Sequence, residues 1–143
     1  MSVTGGNGQC GLGLRARIPS LEKRQLATCS LLATLGEGAR LLAVEYQRRE
    51  KNLLAAFVLL TPSGVFTETL PATLGDNSAW RVDDEGEFDG KYIVPMFALA
   101  DSNGRIEFAI DWLGAEGDDL TLYRTSAPGR LEKIVEGYRY QSH

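Results

Sequence analysis

The sequence predicts an α+β domain dominated by antiparallel β structure. Seven or eight strands in sequential hairpins form a barrel or a strongly curved sheet, with one helix near the N-terminus at about residues 20–35. Three observations predict this. Apolar and polar side chains alternate with period two over most of the chain, as in half-buried strands. Turn clusters, Thr61-Pro62-Ser63-Gly64, Asp101-Ser102-Asn103-Gly104 and Ala127-Pro128-Gly129, separate the alternating runs as hairpin turns do. One early stretch carries helix signals instead.

The chain opens on a glycine-rich leader, residues 1–8, expected to be flexible, and residues 9–143 form a single domain. Cys10, Leu12, Leu14, Ala16 and Ile18 then alternate with Gly11, Gly13, Arg15 and Arg17, the pattern of a strand that Pro19 stops. This bears on Gly6-Asn7-Gly8-Gln9-Cys10-Gly11, which has the G-x-G-x-x-G spacing of a dinucleotide site. Such a site needs a strand before the glycines and a helix after them, whose N-terminus holds the pyrophosphate. Here five residues precede Gly6 and a strand pattern follows, so the motif is read as a flexible entry into a strand.

Residues 20–35 read as the helix, with Ser20 as N-cap, Glu22 in the first turn and Gly36 as the stop. Leu21, Leu31, Leu32 and Leu35 recur at helical intervals, against the weak propensity of the Thr28-Cys29-Ser30 centre. Leu42, Val44 and Tyr46 then alternate with Ala43, Glu45 and Gln47. After a charged corner comes the run Leu53–Leu60, apolar on both faces and suited to a strand covered on both sides. The turn at 61–64 returns the chain through Val65–Leu70, which Pro71 is expected to end. Residues 71–90 are loop-like, with a brief strand possible at 79–82.

The segments Lys91–Ala100 and Arg105–Leu113 form the clearest hairpin, with Pro95 marking an edge or a bulge. Residues 119–125 follow as a strand. Residues 130–140 fit both periods, and the Pro128-Gly129 turn favours a strand paired with 119–125.

Composition sets limits on function. Of 143 residues, 43% are hydrophobic and 24% charged, with net charge −4. Residues 1–60 carry eight Lys/Arg against four acids, and residues 61–143 carry seven against fifteen, so the halves stand at +4 and −8. An acidic chain repels phosphate backbones, so nucleic acid is not an expected partner. No apolar run approaches the ~20 residues of a spanning helix, and a membrane is not expected either. Cys10 and Cys29 show no C-x-x-C spacing and are read as free thiols of a cytoplasmic protein, a single disulfide in an exported protein being the alternative.

The one histidine is His143, the last residue of the sequence. A chain end does not hold an imidazole in fixed geometry, which argues against Ser-His-Asp, Cys-His and histidine-metal chemistry. Carboxylates remain. Asp83, Glu85, Glu87 and Asp89 alternate along one acidic loop, as ligands of a hard cation do, and form a candidate metal site competing with a solvated turn. Glu107 and Asp111 share a strand face roughly 13 Å apart, too far for a coupled acid/base pair.

Trp80, Tyr92, Phe97, Phe108 and Trp112 are the candidate ligand-binding aromatics, and Arg48, Arg49 and Lys51 a candidate partner-binding corner. The expected function is a non-enzymatic binding or interaction domain, a β-rich shell that holds a small apolar molecule or docks a protein partner, with no cofactor. The alternative is a carboxylate-based enzyme with a divalent metal at residues 83–89.

Overall fold

The computed structural model describes residues 3–5, 10–36, 38–73, 92–99, 104–113, 117–127 and 129–140. Among the described residues nine strands are defined: β1 (Val3–Gly5), β2 (Leu26–Leu35), β3 (Ala39–Tyr46), β4 (Asn52–Thr61), β5 (Gly64–Thr73), β6 (Tyr92–Leu99), β7 (Ile106–Leu113), β8 (Gly117–Ser126) and β9 (Arg130–Tyr140). A four-residue helix, α1 (Leu12–Arg15), precedes β2.

All nine strands belong to one sheet with spatial order β1-β2-β3-β4-β5-β9-β8-β7-β6. Two antiparallel meanders, β2 to β5 and β6 to β9, meet where β5 runs parallel to β9. At the far side β6 comes back against β2, so the sheet is a nearly closed barrel. The expected antiparallel barrel-like domain with one helix near its N-terminus is therefore the observed one. No described helix is long and apolar enough to cross a membrane.

The wall has two apolar sides. Inside, Leu41, Phe57, Leu59, Phe97, Phe108 and Tyr123 form the centre of a core to which β2 through β9 all contribute. Its aromatic rings touch: Phe97 and Phe108 meet edge to face at 6.1 Å, and Phe108 stacks on Tyr123 at 5.3 Å. Outside, Leu42, Val44, Tyr46, Leu54, Val58 and Leu60 lie beneath a strap formed by residues 10–24. Strand β4 supplies both layers and is buried on both faces from Leu53 to Thr61, as its unbroken apolar run predicts.

Two elements differ from the sequence reading. Residues 26–35 are strand β2, not the C-terminal part of a helix over 20–35. Register shifts at Leu26/Thr28 and Leu31/Ala33 break its alternation. Cys29 and Leu31 therefore face the outer layer while Leu32, Ala33 and Leu35 face the inner one, and the 31-32-35 spacing of leucines imitates a helix. The helix is instead α1, in the segment expected to be a strand. Cys10, Leu14, Ile18 and Leu21 all pack into the outer layer, at intervals of four, four and three. An interval of four satisfies both a period of two and a helical face, which is why the alternation misleads. The chain end also differs: Val3–Gly5, within the expected leader, pair with Leu35–Ala33 of β2.

The strap is tied to the barrel at several points. Cys10 and Cys29 form a disulfide, with Cα atoms 5.5 Å apart, so the free-thiol expectation is overturned. The pairing follows from the fold: the Cys10 N–H donates to the Cys29 carbonyl at 3.1 Å, which sets the two side by side. Tyr46 Oη donates to the Pro19 carbonyl at 2.8 Å, and Arg17 Nη2 to the Thr61 carbonyl at 3.1 Å. Buried Arg24 ends the strap, donating to the carbonyls of Gln47 and Asn52.

Other local expectations hold. Pro95 sits at a register shift in β6, which is an outer strand of the order. Residues 130–140 form β9, paired with β8. The 61–64 turn is closed by Thr61 Oγ1, which accepts from the N–H groups of Ser63 and Gly64. Strand β5 continues through Pro71 to Thr73 rather than ending there.

Candidate functional site

The four described members of the predicted aromatic set lie on β6 and β7, as facing pairs: Tyr92 opposite Trp112 and Phe97 opposite Phe108. Phe97 and Phe108 are 1% and 0% exposed and pack on each other within the inner core, so in this structure they fill the barrel. Trp80 and the acidic set Asp83, Glu85, Glu87 and Asp89 lie outside the described residues. Among the described residues, no group of three or more His, Cys, Asp or Glu is placed to hold a metal ion.

Arg48, Arg49 and Lys51 stand exposed together at the β3–β4 corner. The Arg49 guanidinium donates to the Glu22 carbonyl, within the 21–24 turn that closes the strap. Structure at this corner thus already engages Arg49.

A different feature marks the outer face of β6 to β9. Met96, Ala109, Leu122 and Val135 are successive register partners across these four strands. They form an apolar row along the hydrogen-bonding direction, at right angles to the chain. Val135 is 59% exposed and Met96 37%, and Leu120, two residues from Leu122 on the same face, is 45% exposed. The next row is charged: Glu107, Arg124 and Glu132 are register partners, with Arg124 Nε donating to Glu107 Oε1 at 2.9 Å. Asp111 opposes Leu120 on the other flank, so Glu107 and Asp111 share the outer face as expected and bracket the apolar row. The apolar outer face of the first meander lies under the strap; this second outer face is exposed at Met96, Leu120 and Val135, while Ala109 is buried.

A second feature lies at the β5–β9 junction. Among the described residues these strands share one register pair, Thr67 with Arg130, and the Thr67 N–H donates to the Gly129 carbonyl at 3.1 Å. Beyond it the wall is split. Alternate N–H groups of a strand point the same way. Position 71 therefore shares the phase of Thr67 and would point its donor at β9, but proline has none. A cleft of about 360 Å³ occupies the split, lined by Glu68, Ser126, Arg130, Leu131, Glu132 and Lys133.

Glu68 is the unusual member. On β5, Phe66 and Leu70 belong to the inner core, and Glu68 falls between them in the same inward phase, opposite Phe57. Burial raises its pKa above the ordinary carboxylate value, against the opposing pull of Lys133 and Arg130. Sequence reasoning passed over this residue. The signal was there: Phe66-x-Glu68-x-Leu70 places an acid in the apolar phase of a strand.

No protein-family model, no curated protein and no solved structure matches this chain.

Proposed function

We propose that this chain is a non-enzymatic interaction domain whose outer β6–β9 face docks a segment of a protein partner. The observation that carries this reading is the apolar row Met96–Ala109–Leu122–Val135, exposed at Met96 and Val135 and extended by exposed Leu120, with Ala109 buried between them. Contiguous apolar patches rimmed by polar groups are typical of protein-interaction surfaces. The equivalent face of the first meander supports this reading, because it is covered by an apolar strap carrying Arg15, Arg17 and Lys23. The −8 charge of residues 61–143 favours a partner segment with apolar side chains between Lys or Arg residues. The ring-on-ring packing of Phe97, Phe108 and Tyr123 favours docking over an apolar ligand held inside the barrel. The disulfide supports a site of action in an oxidising compartment and removes the premise of the cytoplasmic expectation.

Selection of a displayed random-peptide library on the full chain tests the reading. Enriched peptides are expected to place Leu, Ile, Val or Phe between basic residues, and to be lost on a Leu120→Glu/Val135→Glu variant whose circular dichroism is unchanged. Failure to enrich any motif, or equal binding by the variant, overturns it.

A further inference from the structure

We propose that the split between β5 and β9 is a binding site for a small zwitterion, an amino acid or a short peptide, with its ammonium on Glu68 and its carboxylate on Arg130. This rests on different residues from the docking face and stands independently of it.

The cleft is built by the fold. Strands β5 and β9 are held by the Thr67–Arg130 pair, and Pro71 denies the split a further rung on the β5 side. The opening leads to an acid that points toward the barrel interior, beside Phe57, Phe66 and Leu70. A carboxylate in such surroundings loses hydration and needs a partner to recover it. Among the described residues, the Glu68 side chain has neither a hydrogen bond nor an ion pair, and the same is true of Arg130 at the lip. Lys133, the other cation of the cleft, is already engaged, with Nζ 2.8 Å from Glu136 Oε2. Burial raises the Glu68 pKa although Lys133 and Arg130 pull against it, so the cations of the cleft do not fully offset the lost hydration.

The cleft offers both signs of charge: the Glu68 and Glu132 carboxylates and the Arg130 guanidinium have neither a hydrogen bond nor an ion pair among the described residues. An amine alone would leave Arg130 unanswered, and an anion alone would leave Glu68 more isolated. A molecule carrying both ends answers both, and a guanidinium offers a carboxylate two parallel donors. The volume of about 360 Å³ is at the small end of the range for ligand pockets. It adjoins a second cavity of about 480 Å³, with Ser126 and Glu132 lining both and Phe66 and Arg105 lining the second, so there is room for a ligand side chain or a second residue.

The test is a backbone-amide NMR titration of the full chain with L-leucine and L-leucyl-L-leucine at millimolar concentration. Two truncated probes accompany them: leucinamide, which lacks the carboxylate, and 4-methylpentanoate, which lacks the ammonium. Saturable shifts at Glu68, Leu131 and Lys133 are expected with at least one zwitterion, and binding about tenfold weaker with either truncated probe. Glu68→Gln is expected to abolish the advantage of leucine over 4-methylpentanoate. Arg130→Gln is expected to abolish the advantage of leucine over leucinamide. Arg130 is exposed, so that variant tests the site even if Glu68→Gln disturbs the barrel. Absence of shifts with both zwitterions, equal binding of the truncated probes, or variants that bind as the parent does, overturns the proposal.

Discussion

The Tyr46 hydroxyl, on the outer side of β3, donates to the carbonyl of Pro19 in the strap at 2.8 Å. One buried phenol thereby fixes the middle of a segment that has no strand partner there. Tyr46→Phe keeps the ring and removes the donor, leaving the Pro19 carbonyl short of a partner. A loss of about 1 kcal/mol in urea unfolding is expected. Burial pushes the Tyr46 pKa up to about 12 from 10.0. The folded state therefore holds the proton more tightly than the unfolded state, and stability falls as pH rises through that interval. In Tyr46→Phe this part of the alkaline loss should disappear, as read from Tm against pH.

The disulfide closes the strap onto β2 across a sequence separation of 19. A loop of this size is worth roughly 3 kcal/mol by chain-entropy reasoning. Reduction, or a Cys10→Ala/Cys29→Ala variant, should lower Tm markedly. It should also increase binding of a fluorescent apolar dye, because the strap covers Leu42, Val58 and Leu60. An unchanged Tm after verified reduction would show that packing alone holds the strap.

Gly129 has φ +68°, and a Cβ there would stand 3.1 Å from the Val65 carbonyl oxygen. Its own carbonyl takes the Thr67 N–H at the β5–β9 junction. Gly129→Ala is therefore strained in its backbone and crowded against β5, and should cost about 1–2 kcal/mol or more. Gly137, in β9, has open space where a Cβ would go. Gly137→Ala should be neutral or slightly stabilising. Parallel denaturation curves separate the two.

Glu68 has a raised pKa in the folded state through burial, opposed by Lys133 and Arg130. The native chain thus binds more protons than the unfolded chain just above the ordinary carboxylate pKa. Stability contributed by the protonated form is lost as pH rises through that window. Glu68→Gln should match the parent at acid pH and exceed it in Tm at neutral pH. A Tm difference that does not vary with pH would contradict this.

The architecture was legible where the chain alternates without interruption. β3, β4 and the β6–β7 hairpin follow from period and turn residues alone, and β4 declares its double burial by having no polar phase. It was illegible where a bulge shifts the phase, as in β2, or where an interval of four fits two periods, as from Cys10 to Ile18. The sites were harder. Met96, Ala109, Leu122 and Val135 are scattered through the sequence and meet only through register. Phe97 and Phe108 are aromatic for packing reasons, and composition does not separate a ring that fills a core from one that waits for a ligand. Glu68 alone carried a readable anomaly, an acid in an apolar phase.

The junction of β5 and β9 bears on how the chain reaches its native state. Within each meander every strand ladders to its neighbour in sequence, so each can zip up from its own turns at little entropic expense. Thr67 and Arg130 lie far apart along the chain, and their rung forms only when two finished leaves swing together. Amide exchange should record this order, with β4 slowest and the two margins of the junction the first to take up deuterium.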